Sequence, residues 1–410
     1  ERYPVNLLRA QPARSNPMGK NQREFKASEV LEWWRTGSPI IRVETATDVL
    51  PGGLSAAMSP MMVNWNASPR GHGPNDFYLV HNVNVASNPI EGTTLLATVR
   101  VPSAGVESVQ FVMVLTKVGK RKTDAGHAQL RFVFKEASRP VVVDRDGKPV
   151  AHNAELGDLV LSWEAWRPPV TGFDPVAGLD PKTYALTLRC FNGAVRCLSD
   201  AILDRPWSCY PLKLPDVPHA ADELLYVSLL LGDAVARQTI HSILDKRIEQ
   251  GRNTPGDYRE TEAEEWAELK ALSEQQEIPE NPIGDILGGK VSYHLLLRSC
   301  ITMALTSIDW ANTRIHRRAN LGDPKRIRIA PESFPRFLDD LALSRRRSAL
   351  VRIPAALHWL VKNQAVIPGK SFELLDEVGL LERKEGRIVR WDYENRVESP
   401  YGKPSEHLIY

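Results

Sequence analysis

The sequence predicts an α+β fold of several domains. An N-terminal β-rich sandwich or barrel comes first, then a central helical domain, then a small basic C-terminal module of helices and a β-hairpin. Three observations predict this. Between residue 40 and about residue 215, short β-branched and aromatic runs recur, bounded by Gly, Pro, Asn or Asp. From Ala220 onward the apolar spacing changes from a period of two to one of about 3.6 residues. In the last third the charge reverses sign. Ten acidic residues stand against two basic ones from Asp257 to Asp285, and eleven basic against four acidic from Arg314 to Arg352. A chain of 410 residues exceeds what one core usually organises, and the boundaries fall at 1–39, 40–218, 219–325 and 326–410.

Residues 1–39 begin as a polar, Pro-bearing arm with Arg2, Arg9, Arg14, Lys20, Arg23 and Lys26 against Glu1 and Glu24. It reads either as a strap over the body or as an arm that touches nucleic acid. A short helix follows, capped by Ser28, turning Val30, Leu31, Trp33 and Trp34 inward and stopped by Gly37 and Pro39. The β-rich region offers strands at 40–44, 77–85, 93–101, 107–118, 128–136, 140–143, 157–164, 183–191 and 194–198. Asp146-Gly147 and Asn192-Gly193 each lie between such runs, and these pairs favour the type I′ turn that matches strand twist. Trp163 is in phase with Leu159 and Leu161 and belongs to the core; Trp166 is a candidate stacking surface.

Pro206, Pro211, Pro215 and Pro218 mark the next boundary. A helix then runs to about Ile248, with Leu224, Val227, Leu231, Val235 and Ile240 on one face. The acidic stretch has a helical centre at 262–276, and a long helix spans about 291–318. In the last module, 334–343, 349–362 and 371–378 read as helices, and two apolar-polar runs flank Glu385-Gly386 as a hairpin. Three helices and a basic hairpin is the element order of a winged helix-turn-helix; an ordinary α+β cap has the same order.

The basic cluster has three parts: Arg314, Arg317 and Arg318; Lys325, Arg326 and Arg328; and Arg345, Arg346 and Arg347. Arginine forms bidentate pairs with phosphate, so the cluster predicts phosphate contact. The competing readings are pairing with the acidic stretch and a solvated face. A second basic site, Lys120, Arg121 and Lys122 with Lys117, falls between two strands, where a hairpin tip would reach a polynucleotide. The acidic segment 257–285 is expected to dock a protein partner or a second copy.

Catalytic signals are weak. No Walker A loop, dinucleotide fingerprint or nucleophile elbow is present, and no metal-ligand spacing or cofactor is legible. The loop holding His72 and Asp76, followed by His81, is the most site-like. Asp144, Asp146 and Asp158 are the only carboxylates near strand ends that a metal nuclease would use. Four cysteines at irregular spacing fit neither a disulfide framework nor zinc, which suggests a reducing compartment, cytoplasmic or otherwise intracellular, or a virion. No apolar run reaches the ~20 residues of a membrane span. The function expected is non-enzymatic nucleic-acid binding within a larger nucleoprotein assembly. The alternatives are a self-assembling shell-type protein, and a hydrolase or nuclease built on His72, Asp76 and His81.

Overall fold

A computed structural model of the chain describes residues 41–43, 49–50, 54–55, 61–65, 71–88, 93–118, 121–144, 146–150, 155–166, 191–199, 208–252, 264, 267, 270–271, 274, 278–280, 292–293, 300–327, 371–392 and 405–409. Its strands are β1 (Ile41–Val43), β2 (Val49–Leu50), β3 (Leu54–Ser55), β4 (Met62–Asn64), β5 (Phe77–Asn88), β6 (Thr93–Pro102), β7 (Val106–Val118), β8 (Arg121–Phe134), β9 (Val141–Val143), β10 (Asp158–Trp166), β11 (Phe191–Ser199), β12 (Ser208–Pro211), β13 (Ser292–Tyr293), β14 (Arg383–Lys384), β15 (Arg387–Asp392) and β16 (Ser405–Ile409). The helices are α1 (Ala220–Arg252), α2 (Cys300–Ala319) and α3 (Ser371–Glu377).

The fold is mixed α and β. Fourteen of the described strands bond into one network along the path β1-β6-β5-β11-β10-β8-β7-β12-β15-β14, with β4, β9, β13 and β16 attached beside it. The alternating pattern of β5 to β8 explains their pairing. Tyr78, Val80, Val99, Val101, Val109, Phe111, Leu130 and Phe132 are buried at intervals of two, so one register puts this apolar set on the covered face. The β5–β11 pair is parallel and joins the two antiparallel halves.

Helix α1 covers this sheet. Its predicted single apolar face is only part of what it buries: 222–237 is buried on every side. A helix enclosed all round must satisfy its polar groups internally. Asp233, fully buried, accepts from Val63 N at 2.9 Å, Trp65 Nε1 at 2.6 Å and Arg237 Nε at 2.8 Å. Arg237 also donates to the Val63 carbonyl. This pair fixes α1 to β4. One apolar core runs from Met61 through both long helices to Ile388, so segments on both sides of residues 218 and 325 contribute to it.

Two local expectations are corrected. Asn192-Gly193 is no turn: it lies within β11, with Ala165↔Gly193 and Trp166↔Asn192 in register. Strand β10 offers a continuous edge there, and a full ladder outweighs a local turn preference. The long helix expected from about 291 does not include Ser292 and Tyr293, which pair with the edge of β11; its described part is Cys300–Ala319.

The turn at Asp146-Gly147 forms but is not of type I′: only Gly147 has positive φ, at 75°, its N–H bonds the Asp144 carbonyl so that it closes the turn as the fourth residue, and Asp144 Oδ1 accepts from Asp146 N and Lys148 N. The hairpin expected at Glu385-Gly386 is realised. Glu385 and Gly386 have φ of 53° and 80° and join β14 to β15, the type I′ signature. That hairpin is continuous with the main network, since β15 pairs with β12. The helices expected at 334–343 and 349–362, and the N-terminal arm, lie outside the described residues.

Candidate nucleic-acid interface

Helix α2 ends in His316, Arg317 and Arg318. Asn320, at φ 54°, closes it. Leu321 N bonds the His316 carbonyl at 3.0 Å and Asn320 N bonds the Arg317 carbonyl at 3.4 Å, a Schellman cap. Within this segment the arginines divide. Arg314 donates to both Glu223 and Glu280, and its guanidinium lies 5.5 Å from the Tyr226 ring centre and 5.3 Å from that of Trp310. Arg318 donates to the other oxygen of Glu223. Arg326 donates through Nε and Nη2 to Asp309 Oδ2, and Ile327 N bonds Asp309 Oδ1, which ties the chain after the helix back onto it. Arg317 and Lys325 are exposed. Glu280 belongs to the acidic stretch, so the two oppositely charged segments do meet within one chain at Arg314. Arg328, Arg345, Arg346 and Arg347 lie outside the described residues.

The second basic site has a different setting. Strands β7 and β8 form a long hairpin, paired from Val106↔Phe134 out to Val118↔Arg121. Strand β12 pairs with β7 only from Gln110 to Met113, and β10 pairs with β8 only from Gln129 to Val133. Beyond these, 114–118 and 121–127 continue as a two-stranded ribbon that, among the described strands, pairs only with itself. Near its turn, Lys117 stands opposite Lys122 in the register. Like charges directly opposite destabilise a strand pair. Arg121 is at the next position; Lys120 lies outside the described residues.

A third polar centre surrounds the start of α1. His72 Nδ1 lies 3.0 Å from the Ser103 carbonyl, and its Nε2 lies 3.7 Å from Glu223 Oε2. Both ring nitrogens thus face acceptors, and only the imidazolium offers a proton to each. The Glu223 carboxylate raises the His72 pKa against the opposing effect of burial. Burial pushes the Glu223 carboxyl up, but the bonds from His72 and Arg314 outweigh it and hold the group below its ordinary range. The His72 ring stacks on His219 at 5.2 Å, and His219 Nδ1 is 2.9 Å from Asp222 Oδ2. Asp222 Oδ1 accepts from Gly105 N and Val106 N, both at 2.9 Å. A groove of about 870 Å³ opens beside this centre, rimmed by Lys135, Lys213, Asp216 and Glu382.

The loop residues expected to act together have separate partners. Asp76 Oδ2 accepts from Gly73 N, and Gly71 and Gly73 approach so closely that a Cβ on either would lie 2.4 or 2.9 Å from that oxygen. His81 is buried in β5, 3.1 Å from Thr98 Oγ1, and burial together with the nearby Arg237 pushes its pKa down to about 4. Asp158 is paired with Arg131, and Asp144 is taken up by its own turn. Among the described residues no group of three or more His, Cys, Asp or Glu is placed to hold a metal ion. Nor, among them, is any helix long and apolar enough to cross a membrane. Cys209 and Cys300 are buried.

Sequence reasoning missed Glu223, Asp233 and Asp309, the carboxylates that organise these centres. One signal was available. Asp233 interrupts an apolar run between Leu231 and Ala234, and a carboxylate enclosed there requires a buried partner. Comparison with protein-family models, curated proteins and solved structures finds no match to this chain.

Proposed function

We propose that this chain is a non-enzymatic nucleic-acid-binding subunit, working within a larger nucleoprotein assembly, and that the β7–β8 ribbon is its contact. The observation that carries the reading is the register at the turn, Lys117 opposite Lys122 with Arg121 adjacent. Like charges at directly opposite register positions, as at Lys117 and Lys122, disfavour a strand pair, and bound phosphate would relieve that cost. The arginines at the end of α2 are a weaker case, because Arg314, Arg318 and Arg326 already have carboxylate partners. Arg317 and Lys325 remain as an auxiliary phosphate contact. Binding of this kind is governed by salt and nearly indifferent to sequence.

The test is fluorescence anisotropy with mixed-sequence nucleic acid, single-stranded and duplex, from low to physiological salt. The variant replaces Lys117, Arg121 and Lys122 together by Ser. The wild type should bind at low salt, and the variant should bind at least ~10-fold more weakly. No binding to any polymer at low salt, or equal binding by the variant, overturns the proposal.

A further inference from the structure

We infer that residues 71–76 form a lid beside the groove at the start of α1, and that a proton on His72 holds this lid closed. Most ties of the loop are local. Asp76 N donates to the Gly73 carbonyl and Gly73 N to Asp76 Oδ2, and the Asp76 carbonyl accepts from Ser103 N. Among the described residues, only the His72 ring carries the loop across to the chain at α1, by facing Glu223 and by stacking on His219 at 5.2 Å. His72 and Pro74 line the groove together with His219 and Ala221. Loosening that one ring therefore frees the loop from the residues it meets across the groove.

The ring is placed so that its proton count matters. Nδ1 faces the Ser103 carbonyl at 3.0 Å and Nε2 faces Glu223 Oε2 at 3.7 Å. The imidazolium has a proton for each oxygen. The neutral ring has one, and in either tautomer its bare nitrogen then faces an acceptor. His219 is placed differently: its Nδ1 lies 2.9 Å from Asp222 Oδ2, and a neutral ring protonated at Nδ1 keeps that bond. The charged groups around His72 are Glu223 and Asp222 of α1, His219 ahead of that helix, and Asp76 of the loop itself. Arg314 and Arg318 of α2 act on it through Glu223. Tyr78 of β5, close to the same carboxylates, stays neutral because burial pushes its hydroxyl up. Lys135, Lys213, Glu107, Asp216 and Glu382 line the same groove. As pH rises through the His72 transition, the ring loses one donor, its lone pair meets an oxygen, and the loop leaves α1.

The experiment is NMR of the full chain with labelled histidine rings, titrated from about pH 6 to about pH 9, with far-UV circular dichroism over the same range. At the acid end the His72 and His219 ring protons should show a mutual NOE, because the rings are stacked. That NOE should be lost with the same midpoint as the His72 titration, while the circular dichroism stays constant. An NOE that survives the whole titration overturns the inference. So does a loss accompanied by loss of helix, which would be unfolding and no lid. Glu223→Gln is the second check. Its side-chain amide can donate to the deprotonated His72 nitrogen, so the NOE should persist to the alkaline end. Loss of the NOE there in the folded variant also overturns the inference; if that variant does not fold, the wild-type titration decides alone.

Discussion

At the end of α2, arginines meet carboxylates of their own chain; at the β7–β8 turn, lysine stands opposite lysine. In sequence the two places look alike, short runs dense in Arg and Lys. Their surroundings separate them. The helix end packs against the start of α1, where Glu223 is enclosed, and an enclosed carboxylate draws every cation within reach. At the ribbon's turn the register sets Lys117 opposite Lys122. A cation that satisfies a buried acid supports the fold. A cation opposite another cation in register weakens the strand pairing locally. The comparison teaches that charge density alone does not mark a binding surface, and that where the counter-charges lie decides it.

The sharpest way to break this contrast is Glu223→Ala. It leaves Arg314, Arg318 and His72 without their shared acceptor, and removing one partner of a buried pair costs about 3–5 kcal/mol. Urea denaturation should show a loss of that size; a loss under about 1 kcal/mol would mean that the helix-end arginines do not depend on Glu223. The Lys117, Arg121, Lys122 variant should instead keep its stability to within about 0.5 kcal/mol.

Titration gives the next effect. The pKa of His81 in the fold is depressed to about 4, so the neutral ring is favoured there. Its stabilisation is present above the unfolded pKa near 6.5 and is lost as pH falls toward 4. Between pH 7 and pH 5 this group alone should remove about 2 kcal/mol. His72 acts oppositely. Its folded pKa is raised, so its contribution is complete below the unfolded value and disappears as pH rises through the folded one. His72→Gln should therefore be most destabilising at acidic pH and nearly neutral at alkaline pH, measured as Tm across the range. A flat difference between variant and wild type would remove the His72–Glu223 contact from the argument.

The smallest effect is the most pointed. Lys117→Glu turns a like-charge cross-strand pair into an opposite one, and should stabilise the hairpin by a few tenths of a kcal/mol, about 0.2–1 at most. The same change should weaken nucleic-acid binding about tenfold. Gained stability with unchanged binding would detach the ribbon from the function.

Much of the fold was legible in the chain. The period-two runs located β5 to β8, and the Glu385-Gly386 hairpin is used as read, whereas at Asp146-Gly147 only the glycine takes positive φ. These are local matters: a side-chain alternation and a backbone preference for positive φ act within a few residues. Asn192-Gly193 shows the limit. The same local preference was present there, but the free edge of β10 overrode it, and no window around residue 192 contains that edge.

The sites divide in the same way. Sequence pattern puts Lys117, Lys120, Arg121 and Lys122 between two strands; in the structure Lys117 lies at the end of β7 and Arg121 and Lys122 open β8, which starts seven residues earlier than its pattern. Sequence pattern also placed Arg314, Arg317 and Arg318 at a helix end. That Arg314, Arg318 and Arg326 answer carboxylates of their own chain follows from packing between distant elements. Glu223 is 91 residues from Arg314, and Asp233 is 170 from Val63. Nothing in local composition links residues so far apart. They meet because burying α1 against the sheet leaves its acids no water, and the enclosed charges must then be answered from whatever element packs beside them.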